Sequence, residues 1–129
     1  MILGIGADIV EIKHFNSVLK KTPAVVQRVF TPKERQIADK LSVSRKSAYY
    51  AKRFAAKEAV SKACGTGIGD KINWQDFEIL NNMEGMPLAT ISSETLSFLQ
   101  KKFKTKKIQI QLSLSDEKEY VLAFAVLQN

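Results

Sequence analysis

The chain has 129 residues, 45% hydrophobic and 26% charged, with a formal net charge of +7. That length supports one hydrophobic core and excludes two ordinary domains, so residues 1–129 read as a single domain. The lone Cys64 excludes an intrachain disulfide, no apolar run nears the ~18 residues that span a bilayer, and no basic segment precedes the apolar start.

A cytoplasmic chain without signal peptide or membrane insertion is therefore expected, and its positive charge predicts an anionic partner. Residues 2–9 form an apolar run that predicts a buried strand. Gly4 and Gly6 within it predict the close passage of another backbone or a ligand. Asp8 needs a partner, because a carboxylate desolvated alone is costly. Residues 11–21 predict an amphipathic helix, with Ile12, Phe15, Val18 and Leu19 inward and Lys13, His14, Lys20 and Lys21 outward. Thr31-Pro32-Lys33-Glu34 is a capping box with proline at the first helical position, so a helix starts there and runs to about Leu41. Residues 42–47 read as a basic, hydroxyl-rich connection into a long central helix from about Ala48.

That helix carries Arg53-Phe54-Ala55-Ala56-Lys57-Glu58-Ala59-Val60-Ser61-Lys62-Ala63. At about 100° per residue, Arg53, Lys57, Ser61, Glu58 and Lys62 fall within one half-turn of arc, and alanines with Val60 fill the other. The methyl side predicts close packing, and Glu58 with Lys62 is spaced as an i,i+4 pair. Gly65-Thr66-Gly67 supplies residues tolerant of positive φ at the helix end, with backbone N–H groups that a phosphate could approach. Cys64, on the alanine side, reads as a small core residue.

Residues 74–81 and 88–91 predict two strands around a turn, and Ser92 or Ser93 caps a helix to about Phe103 with Leu96, Leu99 and Phe103 inward. Residues 101–107 are a basic connection. Residues 108–115 alternate cleanly and residues 120–127 return as an apolar strand, giving an antiparallel hairpin. Its apolar rows, Ile108/Ile110/Leu112/Leu114 and 121–127, exceed what one small domain readily covers. Helices and mostly antiparallel strands place the chain in the α+β class.

His14 is the only histidine, which excludes a Ser/His/Asp triad around a buried base. No zinc-ligand spacing occurs, and GTGIGDK lacks the spacing and the strand-to-helix setting of a phosphate loop. What remains is Asp8 and Glu58 flanked by Arg53, Lys57 and Lys62, a set suited to Mg²⁺ and a polyphosphate.

These residues lie in an ordered series of motifs. Gly6-Ala7-Asp8-Ile9-Val10-Glu11-Ile12, Phe30-Thr31-Pro32-Lys33-Glu34, the Arg53–Ala59 block with Lys62-Ala63 and Gly65, Gly85-x-Pro87, and Ser113-Leu114-Ser115-Asp116 resemble the 4′-phosphopantetheinyl transferases. The length resembles their short, holo-acyl-carrier-protein-synthase branch. The resemblance implies an α+β domain, a homotrimer with sites between subunits, and transfer of 4′-phosphopantetheine from coenzyme A to a serine of apo-acyl carrier protein. Adenosine 3′,5′-bisphosphate would leave.

It further implies that Asp8 and Glu58 hold Mg²⁺ and that Lys62 contacts the pyrophosphate. Arg53 would lie near the 3′-phosphate, with Gly65, Thr66 and Pro87 lining the nucleotide. Catalytic roles fall to Glu58, Lys62 and Asp8, with Glu58 preferred over Asp8 as general base. Two departures stand out. Asp116 occupies a position where many members carry histidine, so phosphate binding does not transfer to it. Val10 occupies a position where the two-repeat relatives often place a further acidic ligand, as suits the short branch. Acyl carrier proteins are acidic, so Lys13, His14, Lys20, Lys21 and Arg28 form the expected carrier-binding surface. Two other classes compete: a nucleic-acid-binding module and a non-catalytic scaffold for the carrier. The first draws on the +7 charge and the basic segments at Arg45-Lys46 and 101–107, yet no binding motif supports it. The second is disfavoured by the presence of both carboxylates.

Overall fold

The computed structural model describes residues 1–129. In chain order it forms β1 (Ile2–Glu11), α1 (Ile12–Lys21), α2 (Ala24–Val29), α3 (Pro32–Asp39), α4 (Val43–Ala63), a 3-10 turn (Trp74–Asp76), β2 (Phe77–Asn81), β3 (Pro87–Ile91), α5 (Ser93–Lys102), β4 (Gln109–Asp116) and β5 (Tyr120–Gln128). Strands β1, β5 and β4 make an antiparallel sheet with β5 central, and β2 pairs with β3 in a separate hairpin. The α+β expectation holds.

Helix α4 lies on the inner face of the sheet, and the glycines explain how closely. A Cβ on Gly4 would fall onto the Ala63 carbonyl oxygen, and one on Gly6 onto that of Ala59. Ala55, Ala59 and Ala63 are buried, as are Val121, Ala123, Ala125 and Leu127 of β5, so small side chains meet across the contact. Cys64 is also buried, and burial pushes its thiol up to about 12.

Strand β1 is covered on one face only. Gly4, Gly6, Asp8 and Val10 alternate with Ile5 and Ile9, which are 61% and 64% exposed, so the expectation of a buried strand holds for the α4 side alone. Ile108, just before β4, and Ile110, Leu112 and Leu114 within it pack half-buried against the core. Uncovered apolar surface lies on the opposite sheet face, where Leu122 and Phe124 stand exposed beside Ile9 and Ala7.

Three other expectations change. Residues 42–47 are not a connection: Ser42 is the N-cap and α4 starts at Val43. Helix α2, short and without a capping motif, intervenes before α3. Trp74 begins a 3-10 turn, so β2 starts at Phe77. The Thr31 capping box forms as expected, with Thr31 N–H donating to Glu34 at 2.8 Å.

The half-turn of polar residues on α4 is not a solvated face. Arg53, Lys57 and Ser61 are all buried. Lys57 Nζ meets Glu34 Oε1 at 2.7 Å and donates to the carbonyls of Val29 at 2.8 Å and Trp74 at 3.2 Å. Glu34 also accepts from the Ile79 N–H at 2.8 Å. One buried ion pair thus ties α2, α3, the 3-10 turn and β2 to α4. Burial lowers the Lys57 pKa and Glu34 opposes that shift.

Candidate active site

Asp8 points from β1 toward α4, because its register partner on β5 is the buried Ala123. Lys62, in the last turn of α4, donates to Asp8 Oδ1 at 3.1 Å and to the Ala7 carbonyl at 3.0 Å. Glu58 sits one turn earlier and is half-buried. Lys62 therefore bridges to the strand instead of closing the expected i,i+4 pair. Burial raises the Glu58 pKa, the Asp8 carboxylate raises it further, and Lys62 partly offsets both. Two carboxylates and one ammonium converge at the joint between β1 and α4.

The carboxylates open onto a cleft of about 450 Å³. Its apolar wall includes Val29, Phe54 and Trp74, with the Phe54 and Trp74 rings stacked at 4.9 Å. Exposed His14 and Arg28 line the same cleft. The carbonyls held by Lys57 belong to Val29 and Trp74, so the buried ion pair fixes the backbone of two residues that line the cleft with Glu58. Sequence reasoning missed this wall. Its residues come from three separate segments, and no local pattern joins them.

Lys13, Lys20 and Lys21 are exposed on α1, and Arg28 on α2. Gly65 and Gly67 take positive φ as expected. Their N–H groups, and that of Thr66, bond back to the carbonyls of Lys62 and Ser61. In this structure those donors close the helix end and are not left free for a phosphate.

Arg53 lies elsewhere. Nine residues separate it from Lys62, which is about 13 Å along the helix and half a revolution around it. The polar arc read from the wheel was wide enough to reach two sides of α4. Arg53 lines a second cavity with Lys52, Asn81 and Asp116, and donates to Asn81 Oδ1 at 3.0 Å. Pro87 pairs with Asn81 across the β2–β3 hairpin, which puts it on the Arg53 side. The structure thus gathers Asp8, Glu58 and Lys62, with Gly65 and Thr66 just beyond. It keeps Arg53 and Pro87 apart from them.

No cluster of three or more His, Cys, Asp or Glu side chains forms; of the acidic residues lining the cleft, Asp8, Glu11 and Glu58, Asp8 and Glu58 are the pair coupled across β1 and α4 that could hold a cation. Two hard oxygen donors side by side, one of them costly to ionise beside the other, suit a divalent cation completing its shell with water and phosphate oxygens.

Residues 4–125 match the model of the 4′-phosphopantetheinyl transferase superfamily. The chain belongs to that superfamily. It is 40% identical over 127 residues to the holo-[acyl-carrier-protein] synthase of Pelagibacter ubique, covering 98% of this chain and 97% of that one. It is 41% identical over 129 residues to the enzyme of that name from Ehrlichia chaffeensis, covering 98% and 97%. Among solved structures, the Neisseria meningitidis holo-[acyl-carrier-protein] synthase superposes with a TM-score of 0.88 at 36% identity, covering 100% of both chains. A Bacillus anthracis holo-(acyl-carrier-protein) synthase in complex with CoA (3′,5′-ADP) gives 0.82 at 38% identity, covering 98% of this chain and 96% of that one. The matched residues run from β1 into β5. No helix is long and apolar enough to cross a membrane.

Proposed function

We infer that this chain is a holo-acyl-carrier-protein synthase, moving 4′-phosphopantetheine from coenzyme A to a serine hydroxyl of apo-acyl carrier protein. The observation that carries this reading is the Asp8–Glu58–Lys62 cluster, held between β1 and α4 in a chain of this superfamily. The serine oxygen attacks the phosphorus that bears the pantetheine arm. The bond to the bridging oxygen breaks, and adenosine 3′,5′-bisphosphate leaves. Glu58, its carboxylate made more basic by burial and by Asp8, accepts the serine proton. Lys62 releases Asp8 in favour of pyrophosphate oxygens and offsets the charge that grows there. Asp8 and Glu58 would hold Mg²⁺, which when bound supplies charge neutralisation to the pyrophosphate. The apolar wall at Phe54 and Trp74 excludes water beside the reacting atoms. Arg28 and His14, which line the cleft, and Lys13, Lys20 and Lys21, exposed on α1, receive the acidic carrier.

The separation of Arg53 and Pro87 from the carboxylates supports a site shared between subunits of a trimer. In such an assembly the Arg53 side of one subunit meets the Asp8–Glu58 side of the next, and the exposed face at Ile5, Ile9, Leu122 and Phe124 supplies apolar surface for the contact.

Incubation with coenzyme A, Mg²⁺ and apo-carrier, followed by mass spectrometry of the carrier, should reveal one added phosphopantetheine. An unmodified carrier would end the reading. Subunit mixing tests the sharing: Asp8→Ala chains, inactive alone, and Arg53→Gln chains, impaired alone, should give more activity refolded together than either gives by itself.

A further inference from the structure

The cavity around Arg53 holds about 480 Å³ and is lined by three cations, Arg45, Lys52 and Arg53, against one carboxylate, Asp116. Arg53 is 3% exposed and lies 4.6 Å over the Tyr49 ring. Its Nε has no hydrogen-bond partner, and neither does the buried Tyr49 hydroxyl. Buried donors left unpaired are costly, and two of them beside a cationic cavity mark where the oxygens of an anion belong. The remaining charges form a pair. Asp116 faces Val121 in the sheet register and so sits on the α4 side, where Lys52 Nζ reaches its Oδ2 at 3.2 Å. Both partners keep solvent contact, at 32% and 43% side-chain exposure, so Lys52 is free to change partner.

We propose that Lys52 and Asp116 set, with opposite signs, how tightly this chain holds the 3′-phosphate carried by coenzyme A and by the leaving adenosine 3′,5′-bisphosphate. The inference rests on the reading that Arg53 takes that phosphate. A phosphate monoester entering the cavity gains a charge-assisted bond from Lys52. Asp116 competes for the same ammonium and repels the phosphate, so the contact stays exchangeable. Substrate and product bear the same group, and the pair therefore exchanges affinity for product release. A salt bridge that merely tied α4 to β4 would respond alike to loss of either partner. It would also ignore whether the ligand carries a 3′-phosphate.

The test measures binding and turnover of the intact protein with coenzyme A, dephospho-coenzyme A and adenosine 3′,5′-bisphosphate. Lys52→Ala should weaken coenzyme A and the bisphosphate about two- to five-fold, the scale of a half-exposed charge pair. Asp116→Asn should tighten both by a similar factor and deepen product inhibition. Dephospho-coenzyme A should respond to neither. Changes of the same sign, or equal changes with dephospho-coenzyme A, would overturn the proposal. Arg53→Gln separates the two levels of inference. If it alone erases the preference for coenzyme A over dephospho-coenzyme A, the role of the pair fails and the placement at Arg53 stands. If the unaltered protein shows no such preference, the placement at Arg53 fails.

Discussion

At Glu58 two effects act in the same direction: burial disfavours the ionised carboxylate, and Asp8 adds like charge. With its folded pKa raised, the stability this group contributes is present at acid pH and lost as pH rises through that raised value. Glu58→Gln should therefore raise the melting temperature of the metal-free protein at neutral pH and change it less at acid pH, while abolishing transfer. Differential scanning calorimetry at the two pH values, beside the mass assay, checks both halves. Asp8→Ala should also abolish transfer, and circular dichroism should show the fold intact, since Asp8 bonds to Lys62 and not to the core. The grouping of Asp8, Glu58 and Lys62 was legible in the sequence, and the structure brings the three side chains together. The partner of Lys62 was not, since a lysine four residues after a glutamate is an intrahelical pair until a strand arrives beside it.

Helix α4 illustrates why an element cannot be read from its own wheel. Its polar arc meets β1 at Glu58 and Lys62, and the body of the domain at Lys57 and Ser61. At Arg53 it meets a separate cavity. The buried Lys57–Glu34 pair is the test of that environment. Lys57→Met alone should cost about 3–5 kcal/mol by stranding the Glu34 carboxylate. Adding Glu34→Gln should recover much of that loss, as read from urea unfolding. Gly6→Ala, which sets a Cβ against the Ala59 carbonyl, should cost about 3 kcal/mol or more, or prevent folding. Helix α1 bears the carrier prediction. Lys20→Glu with Lys21→Glu should raise the apparent KM for the carrier several-fold and flatten its salt dependence, with coenzyme A affinity unchanged. Steady-state kinetics at two ionic strengths decides this.

For the whole molecule, the sheet presents an unfinished surface. Ile5, Ile9, Leu122 and Phe124 stand exposed on the face away from α4, on adjacent strands. Each is already about half covered, so burying the remainder is worth about 1 kcal/mol, a drive for association when several do so together. The chain, 14.5 kDa, should sediment as a trimer at micromolar concentration. Leu122→Glu with Phe124→Glu should yield a folded monomer without transferase activity. A fully active monomer from the unaltered chain would contradict the shared site.

What the sequence determined alone was whatever repeats or caps locally: the Thr31 box, the alternation of β4, and the amphipathic α1. It also determined the ordered motifs that carry Asp8, Glu58 and Lys62 into one superfamily. Short-range patterns suffice there because strand and helix periods act over a few residues. Tertiary structure decided which polar side chains of α4 are buried, and that Glu34 is an ion-pair partner as well as a cap. It decided too that Arg53 and Asp8 belong to different cavities of one chain. Those outcomes depend on which segments arrive from far along the chain. Burial, unlike periodicity, is a property of the neighbours and not of the residue.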